Sequence, residues 1–253
     1  MDEQLRRAYE LTVRRVPMIA DQIAQAGAVT FPADRMTDPG WLADRVADTA
    51  RRWGSDDPRV NGTLWWYSAS STLTGIPIAT ALVTGFAARP RLRDAIVFLR
   101  EDGCLGGLIA SSALPVAGGL SELAAEMAAA LAPIVDALAV ASGVRPAAMW
   151  AIATDSIANR ALDAGAACGD RARGSDFARG SDFARELVDA FHRVGVVMPD
   201  PRFVDVQAGA LSRRFTQRAS CCLIYETPGS GKCVSCPRRP AEDRLRGLAA
   251  LVM

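Results

Sequence analysis

Apolar residues recur at three- and four-residue intervals over most of the chain, so the pattern predicts helices first. Asp2 to about Arg15 has helical composition, and Pro17 then bends or ends the element. Asp38-Pro39-Gly40-Trp41 opens a second helix, with Asp38 as N-cap, Leu42, Val46, Ala50 and Trp53 on one face, and Gly54 past the end. Asp57-Pro58 repeats this grammar and starts a longer apolar helix through Trp65, Trp66 and Tyr67, expected to be interrupted at Gly75 and Pro77. Two more follow, Ser121 to Ser142 and Pro146 to Leu162, with Gly143 and Gly165 just past their ends. Asp155 and Asn159 lie one turn apart on the last of these, next to Ser156 and Arg160, and read either as a hydrogen-bonded patch beside a ligand or as the solvent face, the latter slightly favoured.

Alternation replaces helical spacing in three places. Asp94–Arg100 and Leu105–Leu114 flank Glu101-Asp102-Gly103, a hairpin signal, with Cys104 read as a small buried hydrophobe. From Phe203 the chain reads as strand and loop, with Cys222–Glu226 extended, Thr227–Gly231 turning back, and Pro240 opening a short helix whose Leu245, Leu248 and Val252 dock on the body. Residues 173 to 184 are one hexapeptide, Arg-Gly-Ser-Asp-Phe-Ala, twice in tandem. Six residues is not a helical repeat, so only the second copy fits a stripe through Phe183, Leu187, Ala190, Phe191 and Val194, and the first reads as a loop insertion. The single histidine, His192, reads as a surface helix residue beside that stripe. The fold class is therefore α+β, mainly helical with a small antiparallel sheet and a C-terminal metal loop, expected as one domain over 1–253.

Charge implies no polyanion partner and no nucleic acid, since 29 basic residues face 28 acidic ones, although Lys232 is the only lysine. The first residues hold no apolar segment of the secretory kind, which predicts a cytoplasmic protein with reduced thiols. Leu73–Ala88 and Ala128–Val144 are too short, or too interrupted by Pro77, Pro133 and Asp136, to span a bilayer, and no peripheral membrane contact is indicated. No glycine-rich phosphate loop and no Gly-x-Ser-x-Gly is present. Adjacent Trp65 and Trp66 cannot both face one core by helical phase alone. Burial between neighbouring elements is the favoured reading, and a pocket for a flat ligand the alternative.

Chemistry concentrates at the end of the chain. Cys221, Cys222, Cys233 and Cys236 form a vicinal pair, a ten-residue gap and a Cys-x2-Cys, and Pro228, Gly229 and Gly231 can fold the chain back between the halves. Four thiolates suit zinc or an iron–sulfur cluster equally by softness. Zinc ribbons space both cysteine pairs, so the vicinal pair favours two irons slightly and leaves zinc open. In a regular strand Cys221 and Cys222 would point to opposite faces, so binding both needs a local irregularity. Arg213, Arg214, Arg218, Lys232, Arg238 and Arg239 crowd this segment, about 213–240. Cys104 and Cys168 have no cysteine neighbour and stay outside the ligand set.

The run Arg218-Ala-Ser-Cys-Cys-Leu-Ile-Tyr-Glu-Thr-Pro-Gly, followed by Lys-Cys-Val-Ser-Cys-Pro, resembles the C-terminal signature of the FhuF-type ferric siderophore reductases. Weaker similarity extends through Leu64–Ser68 and Met149–Asn159. The resemblance implies a [2Fe–2S] cluster on Cys221, Cys222, Cys233 and Cys236, and one-electron reduction of a ferric siderophore. Reduced ferredoxin or another protein would be the electron donor, with Trp65, Trp66, Tyr67, Arg218 and Lys232 as candidate substrate contacts. Such a cluster is a dianion, and a trianion once reduced, so nearby cations favour the reduced form. A structural zinc domain, an iron–sulfur sensor and a non-catalytic siderophore-binding module are the competing readings.

Overall fold

A computed structural model describes residues 1–23, 27–168 and 176–252, with side chains from 179 onward in the last segment. α1 (Glu3–Arg15) is capped by Asp2, which accepts from the Leu5 amide at 2.7 Å, and Pro17 opens a 3-10 turn into the short α2 (Ala20–Ile23). β1 (Thr30–Pro32) precedes α3 (Pro39–Trp53), where Asp38 accepts from Gly40 at 2.8 Å and Gly54 closes the end at φ +65°.

α4 (Pro58–Thr84) is the axis of the molecule, and it corrects the sequence reading by running straight through Gly75 and Pro77. An interior proline costs about 3 kcal/mol in a helix. Leu73, Ile76, Ile78, Ala79, Ala81 and Leu82 are nearly fully buried around it, and each large side chain contributes roughly 1.5–3 kcal/mol of burial, so packing outweighs the defect. Gly75 is used for close approach, because a Cβ there would come within 3.2 Å of both Arg160 and Gln22.

β2 (Phe86–Ala88), β3 (Ile96–Leu99) and β4 (Leu105–Ile109) follow, then β5 (Ala113–Pro115). β3 and β4 form the expected hairpin, with Val97 opposite Leu108, and β1 adds an antiparallel edge that the sequence pattern did not show. The second strand is shorter than expected, because β5 leaves to pair with β2. Cys104 is not a buried hydrophobe. It is half-buried at the turn, with its sulfur accepting from Arg52 at 2.7 Å.

α5 (Ser121–Ser142) buries Leu123, Met127, Leu131, Ile134 and Leu138 as one stripe, packed on α3 and next to α4. Among the described residues it is the one helix long and apolar enough to cross a membrane by length and composition. α6 (Pro146–Cys168) continues past Gly165, which is buried, and α7 (Asp176–Arg193) lies along it. α7 takes in the end of the first hexapeptide copy, which is therefore not wholly loop, while Arg173 to Ser175 lie outside the described residues. In the second copy Gly180 is a contact point, since a Cβ there would lie 2.4 Å from the Ala161 carbonyl oxygen. Leu187, Ala190 and Phe191 are fully buried as expected, whereas Val194 is exposed.

β6 (Phe203–Ala208) and β7 (Leu211–Thr216) make a separate antiparallel hairpin, and α8 (Ala241–Ala249) ends the chain with Leu248 buried but Leu245 exposed. The architecture is α+β, helical with small antiparallel sheets. A large core draws on α1 and α3–α7, and a second, small cluster joins Val60 and Leu64 of α4 to Cys222 and Leu223.

Candidate metal centre

The segment after β7 is anchored before its first cysteine. Gln217 donates to the Arg202 carbonyl at 2.8 Å, and the next three residues wrap around one buried carboxylate, Asp155 of α6. Asp155 accepts the amides of Ala219 at 2.8 Å and Ser220 at 3.0 Å and the Ser220 hydroxyl, and the Arg218 Nε lies 3.5 Å away. Both side chains of the Asp155–Arg218 pair are almost wholly buried, at 3% and 2% exposure. Burial pushes the Asp155 carboxyl above its usual range, opposed by the Ser220 and Ala219 hydrogen bonds and by Arg218. A buried charge pair of this kind is costly unless fully partnered, so its amide bonds are what make it tolerable.

From there the backbone turns sharply. Leu223 adopts φ +62°, the one positive φ outside glycine among the described residues, and Ile224–Glu226 form a 3-10 turn. Cys222–Glu226 is therefore not extended, and the irregularity that a vicinal pair requires is this left-handed residue. It brings the Leu223 amide to the Cys221 sulfur and the Ile224 amide to the Cys222 sulfur. On the other side Cys236 donates its amide to the Cys233 carbonyl at 3.1 Å, closing the Cys-x2-Cys turn.

The four sulfurs meet as two pairs. Cys221 and Cys236 are 3.7 Å apart, and Cys222 and Cys233 hydrogen-bond each other. Two sulfurs at about 2.3 Å from one tetrahedral metal would be separated by about 3.8 Å. A single ion would draw all four sulfurs to that separation, yet among the described residues no three cysteine sulfurs lie within 4.8 Å of one another. Two pairs suit two metal atoms. The group that does meet the 4.8 Å limit, Asp189, His192 and Asp200, is exposed and lies outside the cysteine set.

The electrostatics also suit an anionic group. The Arg218 guanidinium stacks 4.6 Å from the Tyr67 ring and points one nitrogen at the Cys233 sulfur, 3.5 Å away, while its Nε and other terminal nitrogen have no hydrogen-bond partner despite burial. Unpaired buried donors call for an acceptor. Burial lowers its pKa, but Tyr67, Asp155 and the Cys222 and Cys233 sulfurs outweigh this and hold Arg218 charged. Cys222 is drawn down to about 5, first by its bond from Cys233 and then, against burial, by the Ile224 amide and Arg218. Cys233 is pushed up by the Cys222 thiolate and by burial, and Cys221 is raised by burial.

These features fit a class of protein that holds an iron–sulfur cluster in a cysteine loop. Residues 218–238 match the family model described as the FhuF 2Fe-2S C-terminal domain, which indicates a [2Fe–2S] cluster. No curated protein matches the chain.

The remaining sequence candidates fall in different places. Trp65 and Trp66 are both buried, Trp66 donating to the Met149 carbonyl at 2.8 Å and Trp65 packing edge-on to Trp41, so neither ring faces a pocket. Val60, Leu64 and Tyr67, on the other phase of α4, face the cysteine loop. Lys232 is exposed, donating to the Arg238 carbonyl at 3.1 Å and lying over the Tyr225 ring. Arg214 is taken by Asp205 at 2.7 Å and Arg213 covers Phe215, both on the β6–β7 hairpin, whereas Arg239 holds the Cys233 carbonyl at 2.8 Å.

Asp155 is the main residue the sequence reading misplaced. The signal was available: Asp155 is the one charged residue between Met149 and Ala158, and a carboxylate set in so apolar a stretch of helix must be partnered if it is buried.

Proposed function

We propose that the chain is a ferric siderophore reductase working in the cytosol, taking one electron at a time from reduced ferredoxin or a similar donor. The observation that carries the reading is the pairing of the four sulfurs beneath a buried arginine, within the stretch that matches the FhuF 2Fe-2S C-terminal domain. Cys221, Cys222, Cys233 and Cys236 would hold the cluster, which when bound supplies a one-electron store.

The protein's own residues prepare that store. The Leu223 and Ile224 amides and the Arg218 guanidinium donate toward the sulfurs, and such donors stabilise added negative charge. Asp155 keeps Arg218 and the 219–220 backbone in place. Val60, Leu64, Leu223 and Tyr67 shield one side from water, which strengthens each of these interactions. Hard oxygen ligands hold ferric iron far better than ferrous, so a single electron loosens the chelate and releases the metal.

Anaerobic purification followed by metal and sulfide analysis tests the centre: about two irons and two sulfides per chain are expected, and stoichiometric zinc without iron would overturn it. Mixing the dithionite-reduced protein with a ferric siderophore then tests the activity. Rapid bleaching reversal with ferrous iron appearing in equal amount is expected, and no oxidation by any ferric chelate would remove the reductase reading.

A further inference from the structure

Charge is not spread evenly along the chain. Residues 213–253 hold eight basic side chains against three acidic ones, whereas residues 1–212 hold 21 against 25. A dianionic cluster, or its trianion, still leaves the C-terminal segment positive. The excess gathers round the second pair of cysteines. Lys232 donates to the Arg238 carbonyl at 3.1 Å, and Arg239 donates to the Cys233 carbonyl at 2.8 Å. α8 lies against the same turn, where a Cβ on Gly247 would come within 2.9 Å of the Val234 side chain. Of the three acids, Glu226 is taken by Arg59 at 2.9 Å and Asp243 by Arg246 at 2.7 Å. Arg238 lies in the field of Glu226 and is set aside. Lys232, Arg239 and Arg244 face only Glu242 as an acid of this segment without an ion pair, and none of the three has one itself among the described residues. Val234, Leu245 and Leu251 are apolar and exposed in the same stretch.

Resting on the reductase reading, we propose that the face made by the Cys233–Cys236 turn and α8 is the docking surface for an acidic electron-donor protein. Cys233 is half-buried and Val234 beside it reaches solvent, so a protein seated on Val234 lies one residue from a ligand sulfur. Basic side chains around exposed apolar ones match a partner of opposite charge: the cations steer the encounter, and the apolar contact holds it briefly. Electron-transfer encounters of this kind use small interfaces, which suits a face built on one turn and a nine-residue helix. An anionic lipid surface would draw the same cations but brings no electron to the sulfurs. A second copy of the chain in a two-fold contact would set like charge against like. The step at this face is electron transfer alone. One electron leaves the reduced donor, which departs oxidised, and reduces the cysteine-bound centre, with no covalent bond formed or broken.

The test uses the holoprotein and two variants, Arg244→Glu and Leu245→Ser, matched for iron content and helical circular dichroism. Stopped flow with a reduced acidic [2Fe–2S] ferredoxin reads electron entry, and oxidation of the reduced protein by an uncharged iron(III) trishydroxamate reads electron exit. Titration of oxidised protein with oxidised ferredoxin reads binding without any transfer. Arg244→Glu should slow entry and weaken binding by about tenfold at low salt, with the difference shrinking as salt rises. Leu245→Ser should slow entry by about threefold at any salt, because the contact it removes is apolar. Exit should change less than about twofold in both variants, since the chelate carries no charge to be steered. Entry unchanged in both variants, or entry and exit slowed alike, would overturn the proposal. Loss of binding to phosphatidylglycerol vesicles, or of a dimer on size exclusion, with ferredoxin kinetics intact would overturn it in favour of a lipid surface or a second copy. If ferredoxin binding and entry respond as expected but no ferric chelate oxidises the protein, the docking face stands and the reductase reading falls. If chelates are reduced while ferredoxin is indifferent to both substitutions, the reverse holds.

Discussion

Arg218 and Lys232 are both cations near the same sulfurs, and burial separates their effects. Arg218 is 4% exposed and touches the Cys233 sulfur, whereas Lys232 is exposed and turned to the Arg238 carbonyl. A unit charge about 5 Å away at an effective dielectric near 20 is worth roughly 3 kcal/mol, and about 1.4 kcal/mol corresponds to roughly 59 mV for one electron. Arg218→Gln should therefore lower the reduction potential by on the order of 100 mV, and Lys232→Gln by a few tens of millivolts at most after solvent screening. Protein-film voltammetry on samples matched for iron content measures both, and equal shifts would show that burial does not set the ranking. The four cysteines were legible in the sequence because their spacing and neighbours are local. The apolar surroundings of Asp155 were legible too, but its partners were not, because they lie on a segment more than sixty residues away that folds over it. Trp65 and Trp66 were half legible: helical phase separates them, and only the arrangement of neighbouring helices buries both.

Between elements, the close contacts are where sequence rules invert. Glycine to alanine normally stabilises a helix interior by about 1 kcal/mol. At Gly180 the added Cβ would sit 2.4 Å from the Ala161 carbonyl oxygen, so the helices must part. Gly180→Ala is expected to lose about 2 kcal/mol, a fall in Tm of roughly 4–8 °C, and a rise in Tm would mean that α6 and α7 can slide. A second contact ties α5 to the strand layer, where Glu126 is bound by Arg91, at 2.8 Å from Nε, and by Arg89. The Arg91 bonds hold the Glu126 carboxyl below its usual range against partial burial. A depressed carboxyl pKa contributes stability above its unfolded value, and that contribution disappears as pH falls through the folded value. Glu126→Gln should thus melt earlier than the parent at pH 7, with the two curves converging below about pH 4. Parallel curves across that range would place the effect elsewhere. Pro77 was legible as a helix breaker and is nonetheless mid-helix, because burial along the whole of α4 is a property of the assembled core and not of the segment.

The whole molecule is built as a large core with a small annex that bears the four cysteines. The main cluster draws on α1 and α3–α7 and includes none of the four cysteines, while Cys222 belongs to a separate group of four buried residues with Val60, Leu64 and Leu223. Such a group removes too little apolar surface from water to fold its segment alone, and it is held at one end by Asp155 and at the other by Leu248 of α8. The left-handed Leu223 and the partly unpartnered Arg218 are costs that a ligand between the sulfurs would help to offset. Metal binding should accordingly order this segment without being needed for the rest. Stripping iron with an anaerobic chelator is expected to leave helical circular dichroism and a cooperative melt, while hydrogen exchange across 221–240 rises by an order of magnitude or more and exchange in α4 and α6 stays protected. The amides of Ala219 and Ser220, bound to Asp155 and not to sulfur, should keep their protection, which marks the boundary of the annex. Loss of helix and melt together on iron removal would show that the cluster is part of the main folding unit, and unchanged exchange at 221–240 would show that the cysteine loop is preformed.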